Sequence, residues 1–180
     1  MENLSISLDK IHAFIFDFDG VLTNNLVIVN QNGSESVICS RSDGLAFDVL
    51  RKLQKPIYIL STEKNQVVAA RAEKLKVQVL QGVDNKSDIV KQLADKQKFN
   101  LENILYVGND INDYHVMELC GYTVCPADSH FKIKEISNFV LKTQGGEGVV
   151  RELLEDILEI KASFSSEPHT LPPLVVILQS

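Results

Sequence analysis

The sequence of 180 residues contains no tryptophan, only three cysteines and no long apolar run. Its longest unbroken apolar run, residues 174–178, is far shorter than the ~20 residues that a membrane-spanning helix needs. The N-terminal residues also lack the hydrophobic stretch of a signal peptide. Cys39, Cys120 and Cys125 are odd in number and have no metal-ligand spacing, which favours reduced thiols and a cytoplasmic location.

Basic residues are outnumbered, with 18 Lys and Arg against 24 Asp and Glu, so the formal net charge is −6. This balance argues against nucleic acid or an anionic membrane as the main partner. The length and the apolar fraction of 44% fit one compact domain with a full core. We expect residues 1–160 to form that domain and residues 161–180, which contain three prolines, to form a C-terminal tail.

Short apolar runs alternate with longer helical patterns along the chain. The runs predicted as strands are residues 13–16, 57–60, 77–80, 104–107, 122–124 and 139–141. Apolar residues at three- and four-residue spacing predict helices over residues 44–53, 65–75, 87–98, 112–119 and 147–158. This alternation is typical of an α/β fold, a doubly wound parallel sheet with helices on both faces.

One segment interrupts the alternation directly after the first predicted strand. Residues 26–30 and 36–40 favour strands and flank an Asn-Gly pair, which is a strong signal for a β-hairpin turn. We therefore expect an inserted hairpin at this place. No insertion is long enough for a large cap domain.

Polar side chains that could bind a ligand or take part in catalysis follow the predicted strands in order. They are Asp17 and Asp19 after the first strand, Ser61 after the second, Lys86 after the third, and Asn109 and Asp110 after the fourth. In a doubly wound sheet, ligands bind at the carboxyl ends of the strands, near the point where strand order reverses. The pattern therefore predicts one site at that edge.

The residue types in this set favour phosphate chemistry. Clustered carboxylates attract a hard divalent cation, and the expected ion is Mg²⁺ with several waters retained. A magnesium ion beside a hydroxyl and an ammonium group suits a phosphate, because the cations neutralise its oxygens while the hydroxyl donates a hydrogen bond. One carboxylate can attack phosphorus, and a second can protonate the leaving oxygen and later deprotonate water.

Residues 17–23, Ser61, Lys86 and residues 108–113 resemble the four motifs of the haloacid dehalogenase (HAD) superfamily, and the resemblance covers roughly residues 11–160. The sequence is most similar to capless members that dephosphorylate 2-keto-3-deoxy sugar acids, namely octulosonate 8-phosphate and nonulosonate 9-phosphate. The hairpin, the Ser42-Asp43-Gly44 stretch and residues 145–152 are typical of that branch. The resemblance implies a Mg²⁺-dependent phosphomonoesterase that forms an aspartyl-phosphate.

The same resemblance assigns roles to individual residues. Asp17 would be the nucleophile and Asp19 the acid/base, while Ser61 and Lys86 would bind and stabilise the phosphoryl group. Asp17, the carbonyl of Asp19 and the fourth motif would hold Mg²⁺. That motif usually reads Gly-Asp-Asp but here reads Gly-Asn-Asp, so Asn109 and Asp110 are both candidate ligands, and Asp113 is a further carboxylate that could compensate.

Further residues are expected to bind the sugar acid, namely Asp43, Gly44, Glu63, Lys74 and Arg151. Glu63 stands where octulosonate phosphatases commonly have an arginine, and Lys74 follows by about three helical turns, on the same face. This difference favours nonulosonate 9-phosphates. Arg151 follows a glycine run, and the resemblance implies that this segment completes a neighbour's open site within a homotetramer.

Other interpretations of the same residues are open. The chain also resembles the non-catalytic oligomerisation domains that are fused to vertebrate sialic acid cytidylyltransferases, above all in residues 59–65 and the Gly-Asn pair. The intact acidic residues favour an enzyme, which could also act on an unrelated small phosphate. Ser61 could be a helix N-cap, and Asp113 could complement a helix dipole.

Overall fold

The computed structural model describes residues 6–160, so the predicted tail at 161–180 lies outside the described residues. The strands are β1 Ala13–Phe16, β2 Ile28–Val29, β3 Glu35–Ser36, β4 Ile57–Leu60, β5 Gln78–Leu80, β6 Ile104–Val107, β7 Tyr122–Cys125 and β8 Phe139–Val140. The α-helices are α1 Arg41–Lys52, α2 Gln66–Leu75, α3 Lys86–Gln97, α4 Tyr114–Leu119, α5 Phe131–Ile136 and α6 Val149–Glu152. Short 3₁₀ helices occupy Leu8–Lys10, Leu101–Asn103 and Ile111–Asp113, and a π-helical turn, Leu153–Ile157, follows α6.

Six parallel strands form one sheet in the order β5-β4-β1-β6-β7-β8. The chain builds outward from β1 to β4 and β5, then crosses back to β6 on the other side of β1. Strand order therefore reverses at β1, and the residues after its carboxyl end lie at the switch point where such sheets bind ligands. The predicted doubly wound α/β fold is confirmed.

Both faces of the central strand are covered. Phe14 and Phe16 point into one core with residues of α1, α2 and α6, while Ala13 and Ile15 point into a second core with residues of α3 and α4. All residues of β1 are buried, which explains why its sequence is continuously apolar rather than alternating. The helices on the two faces hold β1 rigidly, and so its carboxyl end is a fixed platform.

The predicted hairpin is present as a two-stranded antiparallel ribbon of β2 and β3. Its paired strands are shorter than the predicted segments. The turn contains Gly33 at φ +81°, a conformation that glycine adopts without strain. The hairpin residues Leu26, Ile28, Val29 and Ile38 expose more than half of their surface.

The sequence pattern missed α5, whose apolar positions are separated by lysines and whose Phe131 is exposed. It also predicted a regular final helix, where the structure has α6 and then the π-helical turn. No helix among the described residues is long and apolar enough to cross a membrane.

Candidate active site

Asp17 follows β1 directly and lies at the centre of the site. Its backbone N–H donates to the carbonyl oxygen of Val107, which extends the pairing of β1 with β6 by one residue. Its side chain is buried, and its Oδ1 accepts hydrogen bonds from the backbone N–H of Phe18 and from Lys86 Nζ, each at 2.7 Å. The position and orientation of this carboxylate are therefore set by main-chain and side-chain contacts together.

Lys86 begins α3 and is held between two carboxylates. Its ammonium lies 2.7 Å from Oδ1 of Asp17 and 2.7 Å from Oδ1 of Asp113. Asp113 is fully buried. Its Oδ1 also accepts a hydrogen bond from the hydroxyl of Tyr106 at 2.8 Å, and its Oδ2 accepts one from the backbone N–H of Asn109 at 2.9 Å. Burial alone would lower the pKa of Lys86, but the two carboxylates outweigh it and raise that pKa, so the side chain is a fixed cation.

The carboxylates of the first motif have perturbed acidities. Burial, followed by the nearby Asp113 carboxylate, raises the pKa of Asp17 well above its usual value, and Lys86 opposes that rise. Burial and then the Glu63 carboxylate raise the pKa of Asp19. The raised pKa lets the Asp19 carboxyl group hold a proton in the range where a general acid works, whereas Lys86 favours the ionised form of Asp17.

A cleft of about 310 Å³ opens at this edge of the sheet. It is lined by Asp17, Asp19, Asn25, Ser61, Thr62, Asn109, Asp110, Ile111 and Asn112. Of the residues predicted to do chemistry, Asp17, Asp19 and Ser61 therefore line one cavity, and Lys86 is buried behind Asp17. The structure therefore brings these four residues together.

Ser61 is the first residue after β4 and is buried. Its backbone N–H donates to the Leu80 carbonyl oxygen, and its hydroxyl oxygen accepts the N–H of Glu63 at 3.1 Å. The N-cap of α2 is Asn65, whose side chain accepts from Val67. Ser61 is therefore not that helix's cap, and its hydroxyl hydrogen is available to a ligand in the cleft.

The two candidate metal ligands in the fourth motif have different surroundings. Oδ1 of Asn109 is buried and has no hydrogen-bond partner among the described residues. The Asp110 carboxylate is exposed and caps the 3₁₀ helix Ile111–Asp113, while Asp113 is engaged by Lys86. A buried oxygen without a partner is costly unless something binds it, so Asn109 fits a cation better than Asp110 or Asp113.

The residues present fit Mg²⁺ in another respect. A Cβ on Gly20 would lie 1.9 Å from Nδ2 of Asn109, so only glycine lets the amide approach residues 17–24, the loop with the predicted nucleophile Asp17 and hereafter the nucleophile loop. Within residues 6–160, no group of three His, Cys, Asp or Glu side chains forms a metal site. The candidate set therefore combines the Asp17 carboxylate, the Asn109 amide and main-chain oxygen with water, which suits an ion that keeps several waters.

Two predicted substrate ligands lie elsewhere in this subunit. Asp43 is buried in the first turn of α1 and accepts hydrogen bonds from the start of α6, so a contact of this side chain with substrate stays a prediction. Gly44 follows it inside α1 and faces Leu75. The resemblance implies both residues, and only the packing of α1 against α6 shows what Asp43 contacts.

The remaining predicted ligands surround the cleft or lie away from it. Glu63 is exposed and accepts the backbone N–H groups of Lys64 and Asn65 on Oε1. Lys74 is in the last turn of α2, about 12 Å along the helix from Gln66, so it lies at the opposite edge of the sheet from Ser61. The structure thus does not bring Lys74 to this subunit's cleft.

Arg151 also lies outside the cleft of its own subunit. Its Nε donates to Glu155 at 3.0 Å, and its side chain borders a groove formed with Leu45 and Leu154. A contribution to a neighbouring site stays a prediction.

Sequence reasoning missed several residues of the site. Tyr106 looks like an ordinary buried strand residue, and only the fold places its hydroxyl on Asp113. Asn25 and Thr62 line the cleft because their loops converge there, as do Ile111 and Asn112, which lie within the fourth motif but have no assigned role in it. Their nearness to the recognised motifs was the one available signal.

Comparison with known proteins agrees with this geometry. A family model described as haloacid dehalogenase-like hydrolase matches residues 46–153. The 3-deoxy-D-manno-octulosonate 8-phosphate phosphatase of Escherichia coli K12 is 32% identical over 151 residues, which cover 83% of this chain and 80% of that protein.

Solved structures show the same likeness. A Streptomyces avermitilis protein assigned to the HAD hydrolase family superposes with a TM-score of 0.84 at 40% identity, covering 88% of this chain and 97% of that one. The 3-deoxy-D-manno-octulosonate 8-phosphate phosphatase of Moraxella catarrhalis, solved with magnesium, phosphate and KDO, gives a TM-score of 0.79 at 27% identity. In that case 83% of this chain and 87% of the other are covered.

Proposed function

Because the chain belongs to the haloacid dehalogenase-like hydrolase family, we propose that it is a phosphatase of 2-keto-3-deoxy sugar acid phosphates that depends on Mg²⁺. The observation that carries the proposal is the buried Asp17 carboxylate, set at the carboxyl end of the central strand and 2.7 Å from Lys86 Nζ. Ser61 lines the same cleft. A carboxylate, an ammonium group and a hydroxyl in one place can attack a phosphoryl group, balance its charge and donate a hydrogen bond to it.

Asp17 acts as the nucleophile. Lys86 and the N–H of Phe18 engage Oδ1, so Oδ2 attacks phosphorus. As the Oδ2–P bond forms, the bond from phosphorus to the sugar oxygen breaks, and Asp19 gives its proton to that oxygen. The raised pKa of Asp19, caused by burial and Glu63, suits it to carry this proton.

The second half of the reaction frees the enzyme. Asp19, now ionised, takes a proton from a water molecule whose oxygen attacks phosphorus. The bond between phosphorus and Asp17 breaks, and inorganic phosphate leaves. Throughout, Lys86 balances the negative charge, and the Ser61 hydroxyl donates to a phosphoryl oxygen.

Mg²⁺ would be held by Asp17, Asn109 and the main-chain carbonyl of Asp19, and would supply charge neutralisation at the phosphoryl oxygens. The support for this assignment is the Asn109 Oδ1 that lacks a partner. Related phosphatases have been solved with magnesium and with cobalt.

Within the substrate class, we propose nonulosonate 9-phosphates rather than octulosonate 8-phosphate. The support is Glu63, which stands beside the cleft where a carboxylate would repel the substrate's own carboxylate and accept bonds from its hydroxyls. A homotetramer in the cytoplasm, with each site completed by a neighbour, belongs to the same proposal.

A phosphate-release assay tests the function. Purified chain is incubated with a panel of sugar acid phosphates, p-nitrophenyl phosphate and unrelated small phosphates, with Mg²⁺ and with excess chelator. We expect turnover of the sugar acid phosphates that stops on chelation. Absence of turnover on every substrate would favour the non-catalytic oligomerisation module, and a preference for an unrelated phosphate would overturn the substrate class.

A further inference from the structure

The buried carboxylate of Asp43 takes no part in the proposed chemistry. It is 1% exposed, and its Oδ1 accepts the backbone N–H of Val150 at 2.9 Å and that of Arg151 at 3.4 Å. Oδ2 has no partner among the described residues. A charged group in such a place is costly, so its retention requires an explanation.

Asp43 acts as the N-terminal cap of a helix in another part of the chain. The residue before α6 is Gly148, at φ +112°, which has no side chain to accept from the helix's first N–H groups. Those groups have no partner within the helix. Asp43 accepts at the second and third positions, where a capping oxygen normally lies. Helix α6 therefore begins where α1 presents this carboxylate.

The glycine segment, residues 145–148, leads into α6 and packs on the nucleophile loop. The N–H of Gly146 donates to the Val21 carbonyl oxygen at 3.0 Å. A Cβ on Gly145 would lie 2.2 Å from the Gly20 carbonyl oxygen, and one on Gly146 would lie 2.5 Å from the Asn24 nitrogen. The backbones are in such close contact that any shift of the glycine segment changes the support of the loop.

The nucleophile loop in turn contacts the proposed metal ligand. Gly20 packs so closely on Asn109 that a Cβ there would overlap its amide. A continuous series of contacts therefore runs from Asp43 through α6 and the glycine segment to the loop that follows Asp17. Each contact in the series is direct.

We propose that Asp43 is a positioning residue, which caps α6 and so fixes the glycine segment against the nucleophile loop. Its effect on catalysis rests on the proposed phosphatase function, whereas its effect on the loop does not. The role needs an acceptor at Oδ1 and not a charge. Asparagine should therefore fulfil it, and alanine should not.

Hydrogen exchange measured by mass spectrometry on the full chain tests the role directly. In Asp43→Ala, we expect peptides covering residues 145–152 and residues 17–24 both to exchange about fivefold faster, the effect of losing one cap. Peptides from α3 should not change, and Asp43→Asn, which keeps the acceptor, should exchange no faster than the wild type at 145–152 and at 17–24. Unchanged exchange at 145–152, or a change there without one at 17–24, would overturn the proposal.

A second pair of variants keeps the test valid if Asp43→Ala does not fold. Gly146 and Gly33 have similar backbone angles, φ +74° and +81°, but a Cβ on Gly33 meets nothing within 4 Å. Gly146→Ala should speed exchange in the nucleophile loop, whereas Gly33→Ala, with the same backbone strain, should not. Equal effects of the two on that loop would contradict the proposed connection.

Kinetics with p-nitrophenyl phosphate supply the catalytic readout. Asp43→Ala should lower kcat by about tenfold, since small displacements of reacting groups are costly, and should raise the Mg²⁺ concentration needed for half-maximal rate. Asp43→Asn should restore most of both. If the wild type releases no phosphate from any substrate, the proposed function fails, while the exchange data still decide the role of Asp43.

Discussion

Lys86 Nζ lies 2.7 Å from Asp17 Oδ1 and so joins the first residue of α3 to the residue that follows the central strand. Their side chains are 1% and 5% exposed, so water screens this pair little. Breaking a buried pair leaves an uncompensated charge. Asp113 limits that cost, because it holds the same ammonium when Asp17 is neutralised.

Asp17→Asn is expected to abolish turnover without unfolding the chain. The amide is nearly isosteric but cannot attack phosphorus, so kcat should fall by at least about a thousandfold. Phosphate release and circular dichroism, measured beside the exposed α3 variant Asp95→Asn, check this. Substantial residual turnover in Asp17→Asn would exclude the aspartyl-phosphate route.

Asn109→Asp is expected to tighten Mg²⁺ binding. A carboxylate in place of the buried Oδ1 adds a negative charge at the proposed ligand position. The apparent Mg²⁺ affinity, from calorimetry and from the metal dependence of kcat, should rise by roughly tenfold. Asn112→Asp is the control, because it adds the same charge at the exposed rim of the same cleft. An equal gain in both variants would show general electrostatics instead of ligation.

Asp43 makes stability depend on pH in a predictable direction. Burial raises its pKa from 3.8 to about 6, although the N–H groups of Val150 and Arg151 and the charges of Arg71 and Arg151 lower it. The folded state then binds this proton more tightly than the unfolded state, so the free energy of unfolding falls as pH rises through this range.

Asp43→Asn removes the titration and should be more stable than the wild type above pH 6. Between about pH 4 and pH 6, the titration of Asp43 lowers the free energy of unfolding of the wild type by at most roughly 3 kcal/mol. Below about pH 4, the two proteins should be equally stable. Denaturant unfolding at several pH values and one protein concentration measures it, with Asp95→Asn as the control. A stability difference that does not change with pH would contradict the assignment.

Glu63 is expected to set substrate choice. Wild-type kcat/KM should be higher for a nonulosonate 9-phosphate than for octulosonate 8-phosphate, and Glu63→Arg should shift the ratio towards the octulosonate by about tenfold or more. Because Glu63 also contributes to the raised pKa of Asp19, the readout is the ratio between the two sugar acid phosphates, and p-nitrophenyl phosphate, which has no sugar acid group, is the reference. A wild type that prefers the octulosonate would refute this prediction.

Arg151 is expected to act in a neighbouring subunit. Arg151→Ala should raise KM for the sugar acid phosphate much more than for p-nitrophenyl phosphate, because a guanidinium matches a carboxylate. Mixing Asp17→Asn subunits with Arg151→Ala subunits should restore part of the activity. If mixed oligomers form without recovery, Arg151 does not complete a neighbour's site.

The sequence by itself determined the order of the strands and of every α-helix except α5, because apolar runs of four residues and helical spacing are local patterns. It also placed Asp17, Ser61 and Lys86 at strand ends, which the parallel sheet then had to bring to one edge. Boundaries were less exact at β5 and α1, where capping and pairing decide the last residue.

Only the tertiary structure decided which oxygens are free and which are engaged. Asn109 and Asp110 are adjacent in sequence, yet one presents a buried oxygen without a partner and the other caps a 3₁₀ helix. Asp43, a predicted substrate ligand, accepts hydrogen bonds from α6, which begins more than 100 residues later. Such roles depend on hydrogen bonds between distant segments, and no local pattern of residue types contains them.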